Sequence, residues 1–392
     1  MSSNLNPSRR RALWIGAGAV GLAGAGVLAW TLSSRRTDAI RIGVGQPLSG
    51  DLAALGKDML HGAQLAAESI NAEGGVRVGN RSLPIEIVAA DDKANPEAGQ
   101  AAAKQLVEAG VIAVIAHLNS GVSIAAAPTY AAAGVPQLAI STKREYTQLG
   151  LRTTLRLVAN DDMQAQAMAG YAAENLRARR VALVDDGTPY GQGVARTAES
   201  VLKGRQVEVV VRRTLDDKTR DFAGLVRDIG SNTVDLVMVT FNDVQTEALL
   251  TQMGAAGLRQ VKVLGGDTIK TPLLTRQSQL VDAVFATSPI AGAHEFPTGK
   301  GFVDAFRKRF GADPYYGSHY SHDAVHLIAD ALKRNASLNR EALLERLKSF
   351  DGQAPVTGSL RMQADGEQRY GAVGVYRLRG GAWELEMRGD RW

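Results

Sequence analysis

Short, almost unbroken apolar runs recur along this chain with longer Ala-rich stretches between them, and that recurrence most constrains the fold. Val111–Ala116 reads Val-Ile-Ala-Val-Ile-Ala, and Val234–Val239 reads Val-Asp-Leu-Val-Met-Val. A strand with one wet face alternates apolar and polar residues. A nearly continuous run is covered on both faces, as in a parallel sheet between helices. The same rhythm predicts strands at Ile40–Gly45, Leu83–Ala90, Pro136–Ile140, Val181–Asp185, Val207–Arg212, Val261–Gly265 and Ala283–Thr287. The stretches between most of them suit amphipathic helices, such as Gly56–Glu73 ending at Gly74-Gly75. The fold class is therefore α/β with parallel sheets.

These strands suit one large sheet or two smaller ones. The rhythm breaks at Thr153–Asp162 and again at Ser288–Pro297, and both breaks are read as crossings between lobes. Tyr370–Leu378 and Ala382–Met387 predict a terminal hairpin around Gly380-Gly381. The expected division is a leader over 1–39, one lobe from 40–157 with 288–357, and a second from 158–287 with 358–392.

The leader carries Arg9-Arg10-Arg11, then an uncharged run of 21 residues from Ala12 to Leu32, then Arg35-Arg36. As a helix that run measures roughly 31 Å, enough to cross a bilayer. It reads as an export signal, resembling the twin-arginine type at Ser8–Leu13, or as an uncleaved N-terminal anchor. Gly16–Gly21 matches the dinucleotide fingerprint G-x-G-x-x-G, but arginines rather than a strand precede it, so the match is rejected. The leader also explains the net charge of +5: beyond it the chain holds 40 basic and 39 acidic residues. A nucleic-acid footprint on the folded body is not expected.

Chemistry is sparse. The sequence has no cysteine, which removes disulfides, thiolate metal sites and cysteine nucleophiles. It has no G-x-S-x-G elbow and no phosphate-binding G-x-x-x-x-G-K-[ST] loop. On a helix, His319, His322 and His326 would share one face, as zinc ligands do; the preferred reading is a helix start whose histidines line an interface or meet solvent. The acid pairs Asp91-Asp92, Asp161-Asp162, Asp185-Asp186 and Asp216-Asp217 read as solvated turns and helix caps. No catalytic residue, cofactor or metal is expected.

What remains is a set of polar and aromatic residues at predicted strand ends: Ser120, Ser141 and Thr142, Phe241, and Asp267. In open α/β sheets, ligands sit outside the carboxyl ends of strands. The helix start near Ser120 would suit a carboxylate, and Asp267 would suit an ammonium.

Several stretches, in order, resemble the periplasmic leucine/isoleucine/valine-type substrate-binding proteins of ABC importers. They are Ile42–Gly50, Gly62–Ala66 with Ile70–Val76, Ala90–Asp92 with Asn95-Pro96, Tyr190–Gly193 and Gly254–Leu258. The resemblance spans residues 40–390. It implies a type I periplasmic binding protein: two Rossmann-like lobes joined by hinge crossings, closing on a ligand held between them. It implies that Ser120, Ser141 and Thr142 hold the α-carboxylate of an amino acid or related small carboxylate. Asp267 would pair with its ammonium, Tyr190 and Phe241 would cover it from the second lobe, and Leu55 would touch its side chain. It further implies a monomeric, exported or membrane-tethered periplasmic receptor that serves an inner-membrane ABC permease. A tethered ligand-sensing regulator of the same fold, signalling to a partner, is the alternative.

The sequence departs from the family in two places. A small S-P-x-A-T-like loop is replaced by Ser141-Thr142-Lys143-Arg144-Glu145, whose charges would narrow the cleft or recruit a second carboxylate. Where some members join two cysteines, this chain has Ala94 and Asn119.

Overall fold

The computed structural model describes residues 39–389, apart from 217, 277–280 and 282. The N-terminal apolar run with its arginines, Asp217 and the last three residues lie outside the described set. Among the described residues no helix is long and apolar enough to cross a membrane.

The chain opens with strand β1 (Ile40–Gln46), helix α1 (Ala53–Ala72) and a small hairpin, β2 (Val76–Val78) with β3 (Arg81–Leu83). Strand β4 (Ile85–Asp91) follows. One strand is predicted over Leu83–Ala90, but two form. Pro84 has no N–H to give a ladder, so it divides the run between hairpin and main sheet. Next come α2 (Pro96–Glu108), β5 (Ala113–Ala116), α3 (Ser120–Ala132), β6 (Gln137–Ala139) and β7 (Thr154–Arg156). The first sheet runs β4-β1-β5-β6-β7, with β1/β5, β5/β6 and β6/β7 parallel. Strand β7 falls within the break read at Thr153–Asp162. It is only three residues long, and two of them, Thr154 and Arg156, are polar yet buried.

The chain continues through α4 (Asp161–Glu174), β8 (Arg180–Asp185), α5 (Pro189–Gly204), β9 (Glu208–Thr214), α6 (Ala223–Ser231), β10 (Leu236–Thr240), α7 (Asp243–Ala255), β11 (Lys262–Gly265), α8 (Pro272–Thr275) and β12 (Val284–Ser288). Side chains of Asn160, Thr188 and Asn242 cap α4, α5 and α7 by accepting from Met163, Gly191 and Gln245 N–H. Helices α9 (Gly299–Phe310), α10 (Ser318–Asn335) and α11 (Arg340–Lys348) come next. A second hairpin, β13 (Asp351–Ala354) with β14 (Gly358–Arg361), and the terminal hairpin, β15 (Val373–Arg379) with β16 (Ala382–Gly389), complete the chain.

The second sheet runs β16-β15-β12-β11-β10-β8-β9; its inner strands are parallel, and the terminal hairpin joins antiparallel at β12. Apolar clusters fill both of its faces. One gathers Val237, Val239, Val263 and Leu249; the other gathers Leu183, Met238, Leu264 and Met168. This is the double burial that the continuous apolar runs demand.

Helices α1 and α10 pack closely on each other. A Cβ on Gly62 of α1 would stand 1.9 Å from the Ser318 carbonyl oxygen at the start of α10. Gly317, at the N-cap of α10, has no side chain to cap it. Asp58 of α1 serves instead: its carboxylate accepts N–H bonds of 2.8–2.9 Å from Tyr315, Tyr316, Gly317 and Ser318. A charge at that end of a helix also meets the positive pole of its dipole.

Candidate ligand-binding site

In each sheet the strand order reverses once beside an early strand: between β1 and β5 in the first, between β8 and β10 in the second. Loops leaving the carboxyl ends of those strands diverge and leave a crevice. The residues there include Pro47–Leu52 and His117–Ser120 on one sheet, and Asp186–Tyr190 and Phe241 on the other.

Asp267 opens a one-turn 3-10 helix, Asp267–Ile269, just beyond β11. Tyr190 lies in the first turn of α5, and its hydroxyl donates to Asp267 Oδ1 at 2.8 Å. Gln164 of α4 donates its amide to the same oxygen at 3.1 Å and to the Thr287 carbonyl at 3.2 Å. Burial, then the charges of Asp267 and Asp161, hold the Tyr190 hydroxyl well above its ordinary pKa, so it remains a donor. Gly266 permits this approach: a Cβ there would meet Tyr190 Oη at 2.7 Å. Both of these partners are neutral. Among the described residues no cation forms an ion pair with Asp267.

Asp267 lines a cavity of about 530 Å³ together with Leu55, Lys270, Ile290, Tyr315, Tyr316 and Trp383. Tyr190 lines a neighbouring space of about 250 Å³ with Lys143, Arg144, Asp161, Asp162 and Arg196. The Tyr190–Asp267 bond therefore joins residues that line both. In the smaller space Arg144 pairs with Asp162, and Lys143 Nζ stands 3.7 Å from Glu145. Asp161 accepts a side-chain bond from Thr142, yet its Oδ1 is buried without a partner. Burial outweighs that bond, and with the charge of Asp267 nearby it lifts the Asp161 pKa to about 6.

Leu55, Tyr190 and Asp267 are thus brought to adjoining cavities. Ser120 and Thr142 stand at the ends of the first sheet: Ser120 Oγ accepts from Lys143 N–H at 3.2 Å, and the Thr142 carbonyl accepts from Asp161 N–H at 2.9 Å. The side chains of Ser141 and Phe241 turn inward. Ser141, 1% exposed, bonds through Oγ to Ser123 and to the His117 carbonyl. Phe241, also 1% exposed, lies against Phe222 in the second lobe's core, with ring centroids 5.8 Å apart. The Ser141–Lys143 segment is pinned by Arg156. That side chain is fully buried and donates to the carbonyls of Ser141 and Lys143 and to Glu367.

Some acid pairs are less exposed than the sequence suggests. Asp92 and Asp185 have no exposed surface; Asp92 meets His117 Nδ1 at 2.7 Å, and Asp185 pairs with Arg212 at 2.6 Å. Inward-facing strand ends let a buried histidine and a half-buried arginine meet them, which pattern reading cannot foresee. His319 is likewise buried, among Phe296, Phe302 and Tyr320 rather than in solvent. Burial lowers its pKa to about 3. Among the described residues no cluster of three or more histidines and acids could hold a metal. Sequence reading passed over Gln164, Lys270 and Tyr316. The available signals were a glutamine three residues into the helix that Asp161 opens, and a lysine one short turn after Asp267.

The family model for periplasmic binding proteins matches residues 39–382. The chain belongs to that family. Among relatives of this periplasmic binding protein, an amino acid binding protein of Pseudomonas aeruginosa is 31% identical over 352 residues, covering 88% of this chain and 91% of the relative. The Leu/Ile/Val-binding protein homolog 1 of Brucella abortus is 26% identical over 344 residues, with the same coverages. A substrate-binding protein of an ABC transporter from Desulfitobacterium hafniense, solved in complex with Leu, superposes with a TM-score of 0.74 at 26% identity, over 89% of this chain and 100% of that one. The two-lobed α/β fold expected from the sequence is the fold of these neighbours.

Proposed function

We propose that this periplasmic binding protein is an extracytoplasmic receptor that captures an amino acid or related small carboxylate between its lobes and delivers it to an ABC importer. The observation that carries this reading is Asp267: a carboxylate lining a cavity, held in place by two neutral donors, with no cation among the described residues paired to it. A ligand ammonium would supply that charge, and Tyr190 and Gln164 would keep the carboxylate aimed at it. The N-terminus of α3 at Ser120 would take the ligand carboxylate through free N–H groups. Leu55 and Tyr316 from one lobe and Asp267 from the other would then touch the ligand together only when the cleft is shut, so binding would favour closure. On this reading the lobes are 40–157 with 288–357 and 158–287 with 358–392, and the receptor works as a monomer in the periplasm, free or tethered.

A thermal-shift screen of the full chain against the common amino acids and small carboxylates tests it. A ligand that binds only the folded protein raises the melting temperature. Asp267→Asn should then weaken binding of that ligand by about 2–5 kcal/mol, because its ammonium loses a charged partner in a desolvated site. A screen in which nothing shifts the melt, or a D267N variant with unaltered affinity, would overturn the reading.

A further inference from the structure

The cavity beside Asp267 contains a cation that a leucine-like ligand would leave stranded. Lys270 follows the 3-10 turn that Asp267 opens, three residues on, and both side chains line the same space. Lys270 Nζ rests over the ring of Tyr376, 3.4 Å from its centroid. Among the described residues it makes no hydrogen bond and no ion pair. Glu295 lines the same cavity, but its two oxygens are taken by Gly292 N–H at 3.0 Å and by the Tyr376 hydroxyl at 2.8 Å. Burial pulls the Lys270 pKa below the ordinary lysine value, and the charges of Glu295 and Asp267 pull it partly back. The cation–π contact compensates only part of a lost hydration shell.

Shutting this cavity on an aliphatic side chain would strip water from the ammonium and return no acceptor. Burying a charge without a partner is among the costliest events in a binding site. A ligand that brings its own anionic group removes that cost and gains a charge-assisted bond. We propose that Lys270 is the specificity residue of this receptor and holds a second carboxylate of the ligand, so that the ligand class is the acidic amino acids. This rests on the amino-acid reading above: Asp267 takes the ammonium, the start of α3 the α-carboxylate, and Lys270 the side-chain acid. Leu55, Tyr315 and Tyr316 would then enclose the short carbon chain between the charged ends.

Isothermal titration calorimetry on the full chain decides it, with L-glutamate, L-aspartate, L-glutamine and L-leucine as probes. The wild type should bind glutamate or aspartate at least tenfold more tightly than glutamine or leucine. In Lys270→Met the ratio of acidic-ligand to leucine affinity should fall by about ten- to a hundredfold, the range expected for losing a hydrogen bond to a charged group. Lys270→Arg, which keeps the charge, should retain most of the preference, and thermal melts of the ligand-free variants report whether they fold. Tight leucine binding without acid preference, or a ratio unmoved in K270M, overturns this inference while leaving the amino-acid receptor intact. If no amino acid binds the wild type, the receptor reading falls and this one with it.

Discussion

Replacing Asp58 by asparagine tests how the fold holds one wall of the cavity. The four N–H groups of Tyr315, Tyr316, Gly317 and Ser318 all converge on this side chain, three of them on Oδ2. The residue is 5% exposed, so water does not replace a lost acceptor. Asparagine offers one oxygen and one NH₂. With the oxygen in the Oδ2 place, the Tyr315 N–H faces another donor, and losing a bond to a charged acceptor costs about 1.5–3 kcal/mol. The three remaining bonds fall from charged to neutral acceptor, roughly halving each. A total loss of about 4–8 kcal/mol follows, since charge at the start of α10 is removed as well. Urea unfolding followed by far-UV circular dichroism measures it. Ligand affinity should fall alongside, because Tyr315 and Tyr316 line the cavity. A loss below about 1 kcal/mol would show that the Asp58 cluster is not what anchors α10.

Gly62→Ala should destabilise the chain by about 1–3 kcal/mol or more, since the new methyl would strike the Ser318 carbonyl rather than a yielding side chain; a melt equal to wild type would mean that α1 and α10 can part freely. Asp161 concerns pH. Its folded pKa of about 6 lies above the ordinary 3.8, so the folded state binds the extra proton and stability falls as pH rises from about 4 to about 6. Asp161→Asn should flatten that slope and gain about 1–3 kcal/mol at pH 7; denaturant midpoints at pH 4 and 7 that change in parallel with wild type would refute it.

Much of the fold was legible in the sequence, and the reason is periodicity. Strands covered on both faces announce themselves as unbroken apolar runs, so β5 and β10 were readable within a residue or two. Glycine pairs marked the end of α1 and the turn of the terminal hairpin, because a positive φ there suits a residue without a Cβ. Short polar elements were not readable. Thr154–Arg156 pairs with β6 as a strand, and its polar Arg156 is tolerated in the interior because acceptors on other segments, Ser141, Lys143 and Glu367, meet it there.

The same division applies to the site. Local order alone placed Asp267 and Ser120 at strand and helix ends, where ligands of such folds collect, and the family resemblance added Tyr190. Which of these side chains face a cavity depended on partners on other elements, such as Tyr190 and Asp267, 77 residues apart, and tertiary structure decided it. Phe241 and Ser141 turned inward to satisfy a core and a hydrogen-bond cluster. Gln164 reached Asp267, and Asp58 anchored the segment carrying Tyr316. Lys270 acquired its meaning only when Tyr376 and Glu295 closed around it, because a charge is constrained by the dielectric and the acceptors around it, and neither is written in its neighbours along the chain.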